Sequence, residues 1–124
     1  MFQSVRRVLV VDDEADLLQL VSDRLSANGY EVLTAGTGAM GLQKAFNEKP
    51  NLILLDVTMP RMDGWQVLQA LRENEQTKRV PVIMLTAQGE TLSIFKAKKL
   101  QATDYFVKPF DAEELLTFIG KYIG

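Results

Sequence analysis

Four short segments of this sequence each contain a polar residue and follow or end a short apolar run. They are Asp12-Asp13, Asp56, Thr86-Ala87 and Lys108-Pro109. Carboxylates bind hard cations, a lysine supplies a positive charge, and a hydroxyl donates a hydrogen bond to an anionic oxygen. Each residue alone has an ordinary structural explanation, such as capping a helix or lying in a turn. Taken together, these groups are the parts that phosphoryl transfer needs.

The residue types that the chain lacks narrow the chemistry further. The sequence has no Cys, so nothing points to disulfides, thiolate metal sites or an oxidising compartment. It has no His either, which excludes a Ser/His/Asp triad and a His-ligated zinc site. Oxygen ligands alone favour a hard ion such as Mg²⁺. The net charge of −2 provides no broad basic field, so we expect no direct contact with nucleic acid.

Length and composition predict one domain that covers residues 1–124. Hydrophobic residues make up 47% and charged residues 24% of the chain, as in an ordinary globular protein. The longest apolar runs, such as Val8–Val11 and Leu52–Leu55, are far too short to cross a membrane, and the N-terminus lacks the apolar core of a signal peptide. We therefore expect a cytoplasmic location and no membrane partner.

Short apolar runs alternate with amphipathic stretches along the whole chain. The predicted strands are Val8–Val11, Glu31–Ala35, Asn51–Asp56, Val80–Leu85 and Thr103–Val107. The apolar residues that mark the predicted helices are Leu17, Val21 and Leu25; Leu42, Ala45 and Phe46; Val67, Leu68 and Leu71; Leu92, Phe95 and Leu100; and Leu115, Leu116 and Ile119. Five βα units predict an α/β fold with a parallel sheet, right-handed crossovers and helices on both faces.

Helix ends have signals of their own. Asn28-Gly29 is expected to end the first helix and Pro50 the second. Asp111 with Glu114 predicts a capping box at the start of the last helix.

The predicted sheet brings the polar groups to one edge, because parallel sheets bind ligands at the carboxyl ends of their strands. Three carboxylates gathered there repel one another by about 4 kcal/mol per close pair at an effective dielectric constant of about 20. Such a cluster requires a cation, and Mg²⁺ accepts a few carboxylates while it keeps water molecules for a phosphoryl group.

Over its whole length, the sequence resembles the receiver domains of two-component response regulators. Four ordered blocks carry the resemblance: Val8-Leu9-Val10-Val11-Asp12-Asp13-Glu14; Leu52-Ile53-Leu54-Leu55-Asp56-Val57-Thr58-Met59-Pro60 with Met62-Asp63-Gly64; Pro81-Val82-Ile83-Met84-Leu85-Thr86-Ala87; and Asp104-Tyr105-Phe106-Val107-Lys108-Pro109-Phe110. The resemblance implies a flavodoxin-like sheet of strand order 2-1-3-4-5. It also implies a signalling phosphoacceptor that promotes its own metal-dependent phosphorylation and dephosphorylation, rather than a conventional enzyme.

The resemblance assigns roles to the acidic residues. Asp56 is the expected phosphoacceptor and attacks a phosphohistidine on a sensor histidine kinase or a phosphotransfer protein. Asp13, Asp56 and the carbonyl of Thr58 are expected to bind Mg²⁺ (or Mn²⁺), with Asp12 acting through water. The metal would bridge acceptor and phosphoryl oxygens during transfer.

It also assigns roles at the other strand ends. Lys108 would pair with one phosphoryl oxygen, and the Thr86 hydroxyl with the Ala87 amide would hold another. Pro109 is expected to follow a cis peptide bond. Movement of Thr86 toward the phosphoryl group would let the Tyr105 ring rotate inward, which makes these two the switch residues. The face of the fourth helix, fifth strand and fifth helix would then contact a downstream protein effector; its lysines, Lys96, Lys98 and Lys99, are equally explained as a solvated helix face.

The sequence departs from the family pattern at a few positions. Gln101 stands where the family often has Gly, so the end of the fourth helix is expected to differ. Thr58 and Gln88 lie at positions that tune phosphoryl lifetime in the family. The last helix lacks the arginines typical of receivers that dimerise to bind DNA, which favours a stand-alone regulator or a receiver cut from a longer protein.

Three other protein classes share some of these features. An aspartate-nucleophile phosphohydrolase would need a second Asp where this chain has Thr58. A flavodoxin-like flavin carrier would need a Gly- and hydroxyl-rich phosphate loop where this chain has Asp12-Asp13-Glu14. An interaction module that works without phosphorylation is the main alternative, and metal binding would distinguish it from a receiver.

Overall fold

The computed structural model describes residues 5–87 and 94–123, and over these residues strands and helices alternate. The strands are β1 Arg7–Val11, β2 Glu31–Ala35, β3 Leu52–Asp56, β4 Val82–Ala87 and β5 Asp104–Lys108. The helices are α1 Ala15–Ala27, α2 Gly38–Glu48, α3 Gly64–Glu73, α4 Ile94–Lys99 and α5 Ala112–Ile123. Every helix among the described residues is too short or too polar to span a bilayer.

The five strands form one parallel sheet of order β2-β1-β3-β4-β5, which confirms the predicted fold class and strand order. Successive residues of the central strands point to opposite faces of the sheet, and both faces are covered by helices. On one face, the strand residues Leu9, Val11, Ile53, Leu55 and Met84 pack with Ala45 of α2 and Val67, Leu68 and Leu71 of α3. On the other, Val8, Val10, Leu52, Leu54, Ile83 and Leu85 pack with Val21 and Leu25 of α1 and Leu115 and Ile119 of α5.

The register of the sheet determines which residues meet at its carboxyl edge. Val11 pairs with Leu55, so the residues at the ends of β1 and β3 lie side by side. Asp56 pairs with Leu85 of β4, and Ala87 at the end of β4 pairs with Lys108 of β5. The four polar groups therefore belong to adjacent strand ends, as the sequence predicts.

Two strands begin and end later than the sequence predicted. Residue 80 does not join β4, because the Val80 amide donates to the carbonyl of Thr77 in the preceding turn at 3.2 Å. Pro81 has no N–H, but its carbonyl accepts a hydrogen bond from Ile53 at 2.9 Å. Both β4 and β5 extend through the polar residues at their carboxyl ends, Thr86 and Lys108.

The helix-end predictions have mixed outcomes. Gly29 has a φ of 90° and ends α1 as expected. At α5, the Asp111 side chain accepts a hydrogen bond from the Glu113 amide at 2.8 Å. A complete capping box is present instead at α3, where Asp63 and Gln66 each accept from the other's amide at 3.0 Å. That box was missed in the sequence.

The end of α4 resembles the usual glycine-terminated end despite Gln101. Gln101 has a φ of 62°, its amide donates to Lys98, and the Ala102 amide donates to Ala97. These are the two bonds of a Schellman motif. The Gln101 carbonyl also accepts a hydrogen bond at 3.0 Å from Arg72, at the end of α3. Leu92 and Gln88 lie outside the described residues.

Gly64, the first residue of α3, approaches β3 so closely that a side chain cannot fit. A Cβ atom there would lie 2.2 Å from the Asp56 carbonyl oxygen and 2.9 Å from the Val57 Cα. Because both neighbours are backbone atoms, we expect Gly64→Ala to lower the free energy of unfolding by about 3 kcal/mol. Urea denaturation would measure this change.

Gly36→Ala is the matched control, because a Cβ atom at Gly36 would meet nothing within 4 Å. This variant should stay within about 0.5 kcal/mol of the wild type. Equal stabilities of the two variants would contradict the close approach of α3 to β3.

Candidate functional site

Three carboxylates meet where β1 and β3 end. Oxygen atoms of Asp12, Asp13 and Asp56 all lie within 4.8 Å of one another. Asp12 is completely buried and Asp56 is 4% exposed, whereas Asp13 faces solvent. Like charges this close repel strongly in a poorly solvated environment. The cluster is therefore stable only with compensating positive charge or bound protons.

Backbone amides fix the two buried carboxylates in position. Asp12 Oδ1 accepts a hydrogen bond from the Glu14 amide at 2.9 Å, and the Asp12 amide donates to the carbonyl of Ala35 at 3.0 Å. Asp56 Oδ1 accepts from the Thr58 amide at 3.3 Å. Both carboxylates are thus oriented by the turns that follow their own strands.

Lys108 brings a positive charge to the cluster from the end of β5. Its Nζ lies 2.7 Å from Asp12 Oδ2, 2.8 Å from Glu14 Oε1 and 3.6 Å from Asp56 Oδ1. Burial alone would lower the pKa of Lys108, but its contacts with Asp12 and Glu14 and the charges of Asp12 and Asp56 raise it above the ordinary value. Lys108 is therefore a permanent cation here. The peptide bond to Pro109 is cis, as predicted.

The ionisation of Asp56 is opposed by its surroundings. Burial and then the negative charge of Asp12 raise the pKa of Asp56 to about 7, with a smaller contribution from Asp13. Lys108 and the Thr58 amide act in the opposite direction but do not outweigh these effects. Asp56 in the metal-free protein thus readily accepts positive charge, either a proton or a cation.

The donor set fits a hard divalent cation. It consists of oxygen atoms only, two of the three carboxylates are buried, and one ammonium group only partly balances their charge. Asp12, Asp13 and Asp56 are the residues that could hold such an ion. The predicted role of the Thr58 carbonyl stays a prediction.

The remaining predicted residues lie around this cluster. Thr86 is buried at the end of β4, adjacent to β3, and pairs with Val107. Ala87 is exposed one residue further on. Tyr105, on the edge strand β5, is 46% exposed, so its ring lies in an outward position. The switch roles of Thr86 and Tyr105 stay predictions.

Glu14 was missed as a functional candidate. It follows the two aspartates directly in the sequence and carries the same charge. In the structure it is a partner of Lys108. Beside this ion pair, an open cleft of about 520 Å³ is lined by Glu14, Asp16, Leu17, Leu20, Ala87, Lys108, Pro109 and Phe110.

The sequence of this chain matches that of a known protein family. The sequence model described as the response regulator receiver domain matches residues 8–120, which is almost all of the chain. The chain belongs to the response regulator receiver domain family. Its role is therefore that of a receiver in two-component signalling, a signalling phosphoacceptor rather than a conventional enzyme.

Curated relatives of this receiver domain are longer proteins. A probable transcriptional regulator, ycf27, of Pyropia yezoensis is 45% identical over 109 residues, which are 88% of this chain and 44% of the relative. The alkaline phosphatase synthesis transcriptional regulatory protein PhoP of Bacillus subtilis is 42% identical over 110 residues, 89% of this chain and 45% of PhoP. The chain spans about half the length of the curated relatives it matches.

Solved structures of similar proteins match almost end to end. The chemotaxis protein CheY4 of Vibrio cholerae has a TM-score of 0.89 and 37% identity, covering 96% of this chain and 99% of CheY4. The receiver domain of sensor histidine kinase PA1611 from Pseudomonas aeruginosa has a TM-score of 0.87 and 27% identity, covering 98% and 99%. That structure has a magnesium ion coordinated in the active-site cleft.

Asp56→Asn is expected to stabilise the metal-free receiver domain. The folded protein keeps the Asp56 proton up to a pH of about 7, whereas the unfolded chain loses it near the ordinary pKa of 3.8. The free energy of unfolding therefore falls as the pH rises through this window. At about pH 8, Asp56→Asn should raise it by about 2 kcal/mol, measured by urea denaturation in a metal chelator.

Asp23→Asn, which removes an exposed carboxylate on α1, is the control and should change little. A loss of stability in Asp56→Asn, or an equal gain in both variants, would show that the cluster does not oppose ionisation of Asp56.

Proposed function

We propose that this receiver domain takes a phosphoryl group onto Asp56 in a reaction that requires Mg²⁺ or Mn²⁺. The observation that carries the proposal is the geometry of the acidic cluster. A buried carboxylate at the end of the central strand β3 lies between two further acids and a lysine whose charge is permanent. The acids can hold a hard metal ion, and the lysine can stabilise the charge of a phosphoryl group.

The proposed reaction is an in-line displacement at phosphorus. A carboxylate oxygen of Asp56 forms a new P–O bond, while the P–N bond to a histidine nitrogen of the donor breaks. The electron pair of that bond leaves with the nitrogen, which takes up a proton. Lys108 then holds one phosphoryl oxygen by charge, and the Thr86 hydroxyl and the Ala87 amide hold another.

Asp13, Asp56 and the Thr58 carbonyl would bind the metal ion, with Asp12 acting through water. When bound, the ion neutralises the negative charge that builds up on the acceptor and phosphoryl oxygens. Two observations support this assignment. The carboxylate oxygens already lie within 4.8 Å of one another, and a relative of the same fold has magnesium in its active-site cleft.

The proposed donor is a sensor histidine kinase or a phosphotransfer protein. The open cleft is lined in part by Lys108, which contacts the acidic cluster through Asp12. Its apolar lining includes Leu20, which is half exposed at the surface of α1. A donor protein could therefore bind there through apolar contacts while it presents its phosphohistidine.

The proposed output is a change of shape that a protein effector recognises. Phosphorylation draws Thr86 toward Asp56, and the Tyr105 ring then turns inward from its exposed position on β5. The effector would recognise this change at the surface formed by α4, β5 and α5. Lys96, Lys98 and Lys99 are all exposed on it, and the Nζ of Lys96 also lies 5.5 Å from the centre of the Trp65 ring.

We propose that residues 1–124 form a single receiver domain that does not itself bind nucleic acid. Several relatives are named as transcriptional regulators, and this chain matches about half of each. Helix α5 carries only one lysine, Lys121, among its described residues. Any contact with DNA in a longer protein would thus belong to another domain. The proposed location is the cytoplasm, where the kinases of this signalling class present their phosphohistidine.

Incubation with phosphoramidate and Mg²⁺ is expected to add one phosphoryl group to the protein, as detected by intact-mass spectrometry. A chelator or Asp56→Asn should abolish the adduct, because each removes a participant in the reaction. Lys108→Ala should reduce the rate by about a hundredfold, the usual effect of losing one charge-stabilising group.

Asp23→Asn is the matched control and should react like the wild type. Absence of an adduct, together with absence of metal binding, would favour the alternative function, an interaction module that works without phosphorylation. An adduct that persists in Asp56→Asn would contradict the proposed acceptor.

Thr86→Ala is expected to separate phosphorylation from the change of shape. The variant keeps Asp56, Lys108 and the metal ligands, so it should still form the adduct. It lacks the hydroxyl that moves, so phosphorylation should change amide hydrogen exchange over residues 94–108 less than in the wild type. Thr117→Ala, an exposed position on α5, is the control. An undiminished response in Thr86→Ala would exclude Thr86 as the switch.

A further inference from the structure

The side chain of Glu14 contacts Lys108 instead of capping helix α1. It occupies the N-cap position of α1, where a short polar side chain usually accepts a hydrogen bond from the helix backbone, yet Glu14 makes no such bond. Its amide is instead fixed by Asp12 Oδ1 at 2.9 Å. The Glu14 carboxylate is thereby directed to Lys108, whose Nζ donates to it at 2.8 Å.

Lys108 lies closer to Glu14 and Asp12 than to Asp56. Lys108 Nζ is within hydrogen-bonding distance of Glu14 and Asp12, but it is 3.6 Å from Asp56, the proposed phosphoacceptor. Asp12 is completely buried and held by backbone bonds, so it cannot move away. The side chain of Glu14 is 60% exposed, so water can replace Lys108 as its partner. Glu14 is therefore the exchangeable one of the two close partners.

We propose that Glu14 is a positioning residue that competes with the incoming phosphoryl group for Lys108. This inference rests on the proposed function of Asp56. In the resting protein, Glu14 lies 2.8 Å from the Lys108 ammonium, closer than Asp56 at 3.6 Å. Phosphoryl transfer requires Lys108 to exchange the Glu14 carboxylate for a phosphoryl oxygen, and Glu14 thereby slows phosphoryl uptake by Asp56.

A purely structural role for Glu14 is a poor explanation of the same contact. An ion pair with one well-exposed partner adds little to stability. Glu14 also satisfies none of the backbone groups at the start of α1 with its side chain. Its effect should therefore be seen in reaction rate rather than in the unfolding equilibrium.

The test measures phosphoryl uptake from phosphoramidate with Mg²⁺ at constant ionic strength. The P–N bond of the donor breaks, a P–O bond to Asp56 forms, and ammonia leaves. Glu14→Gln should react about threefold faster than the wild type, the size expected for losing one exposed ion pair. Its urea unfolding should be unchanged.

Two further variants distinguish competition for Lys108 from a general effect of charge. Asp23→Asn removes an exposed acid of α1 that does not line the cleft, and it should not accelerate uptake. In a Lys108→Ala background, Glu14→Gln should have no effect, because the group for which Glu14 competes is missing.

Three results would overturn the inference and leave the proposed function intact. These are an unchanged or slower rate in Glu14→Gln, an equal acceleration in Asp23→Asn, and an acceleration that survives in the Lys108→Ala background. If the wild type takes up no phosphoryl group at all, the proposed function fails, and the role of Glu14 fails with it.

Discussion

The balance of charge between buried acids and Lys108 is the constraint on which this receiver domain depends. Asp12 and Asp56 are almost completely removed from water, and burial of charge is costly unless the charge is paired. One lysine contacts both, but at unequal distances of 2.7 Å and 3.6 Å. The site is consequently left with an excess of negative charge, which favours the binding of a further cation.

The order of the strands in the sheet brings the residues of this cluster together. The acids come from neighbouring strands, β1 and β3, and the lysine comes from β5, two strands further along the sheet. Packing of helices on both faces holds these strands in register, and the close approach of Gly64 to the Asp56 carbonyl positions the turn after β3. At the opposite end of the sheet, the Arg72 guanidinium binds the carbonyls of Val80 and Gln101, which ties the end of α3 to the loops around β4 and α4. Stability of the core and geometry of the site are thus supplied by the same elements.

Much of this architecture could be predicted from the sequence, because its signals are local. Buried parallel strands appear as continuous apolar runs, and the strand order followed from the resemblance to receiver domains. The meeting of Asp12, Asp13, Asp56 and Lys108 was predictable once the polar residues were assigned to strand ends. The proposed single domain and the individual catalytic roles remain predictions.

Other features could not be predicted, because they depend on tertiary contacts. The capping box at Asp63 uses a common residue pair, and only the backbone position shows that both bonds form. The late start of β4 depends on a turn that binds the Val80 amide. The partnership of Glu14 with Lys108 joins residues that are 94 positions apart, and an acid after two aspartates has no sequence signal that reveals such a contact.

In the proposed reaction, Asp56 and no other acid of the cluster accepts the phosphoryl group. Borohydride reduces an aspartyl phosphate to homoserine, so peptide mass spectrometry after phosphorylation and reduction identifies the acceptor directly. We expect homoserine at position 56 and unmodified Asp12, Asp13 and Glu14. Homoserine at position 12 or 13, reduction at Glu14, or no reducible residue after uptake of a phosphoryl group would contradict it.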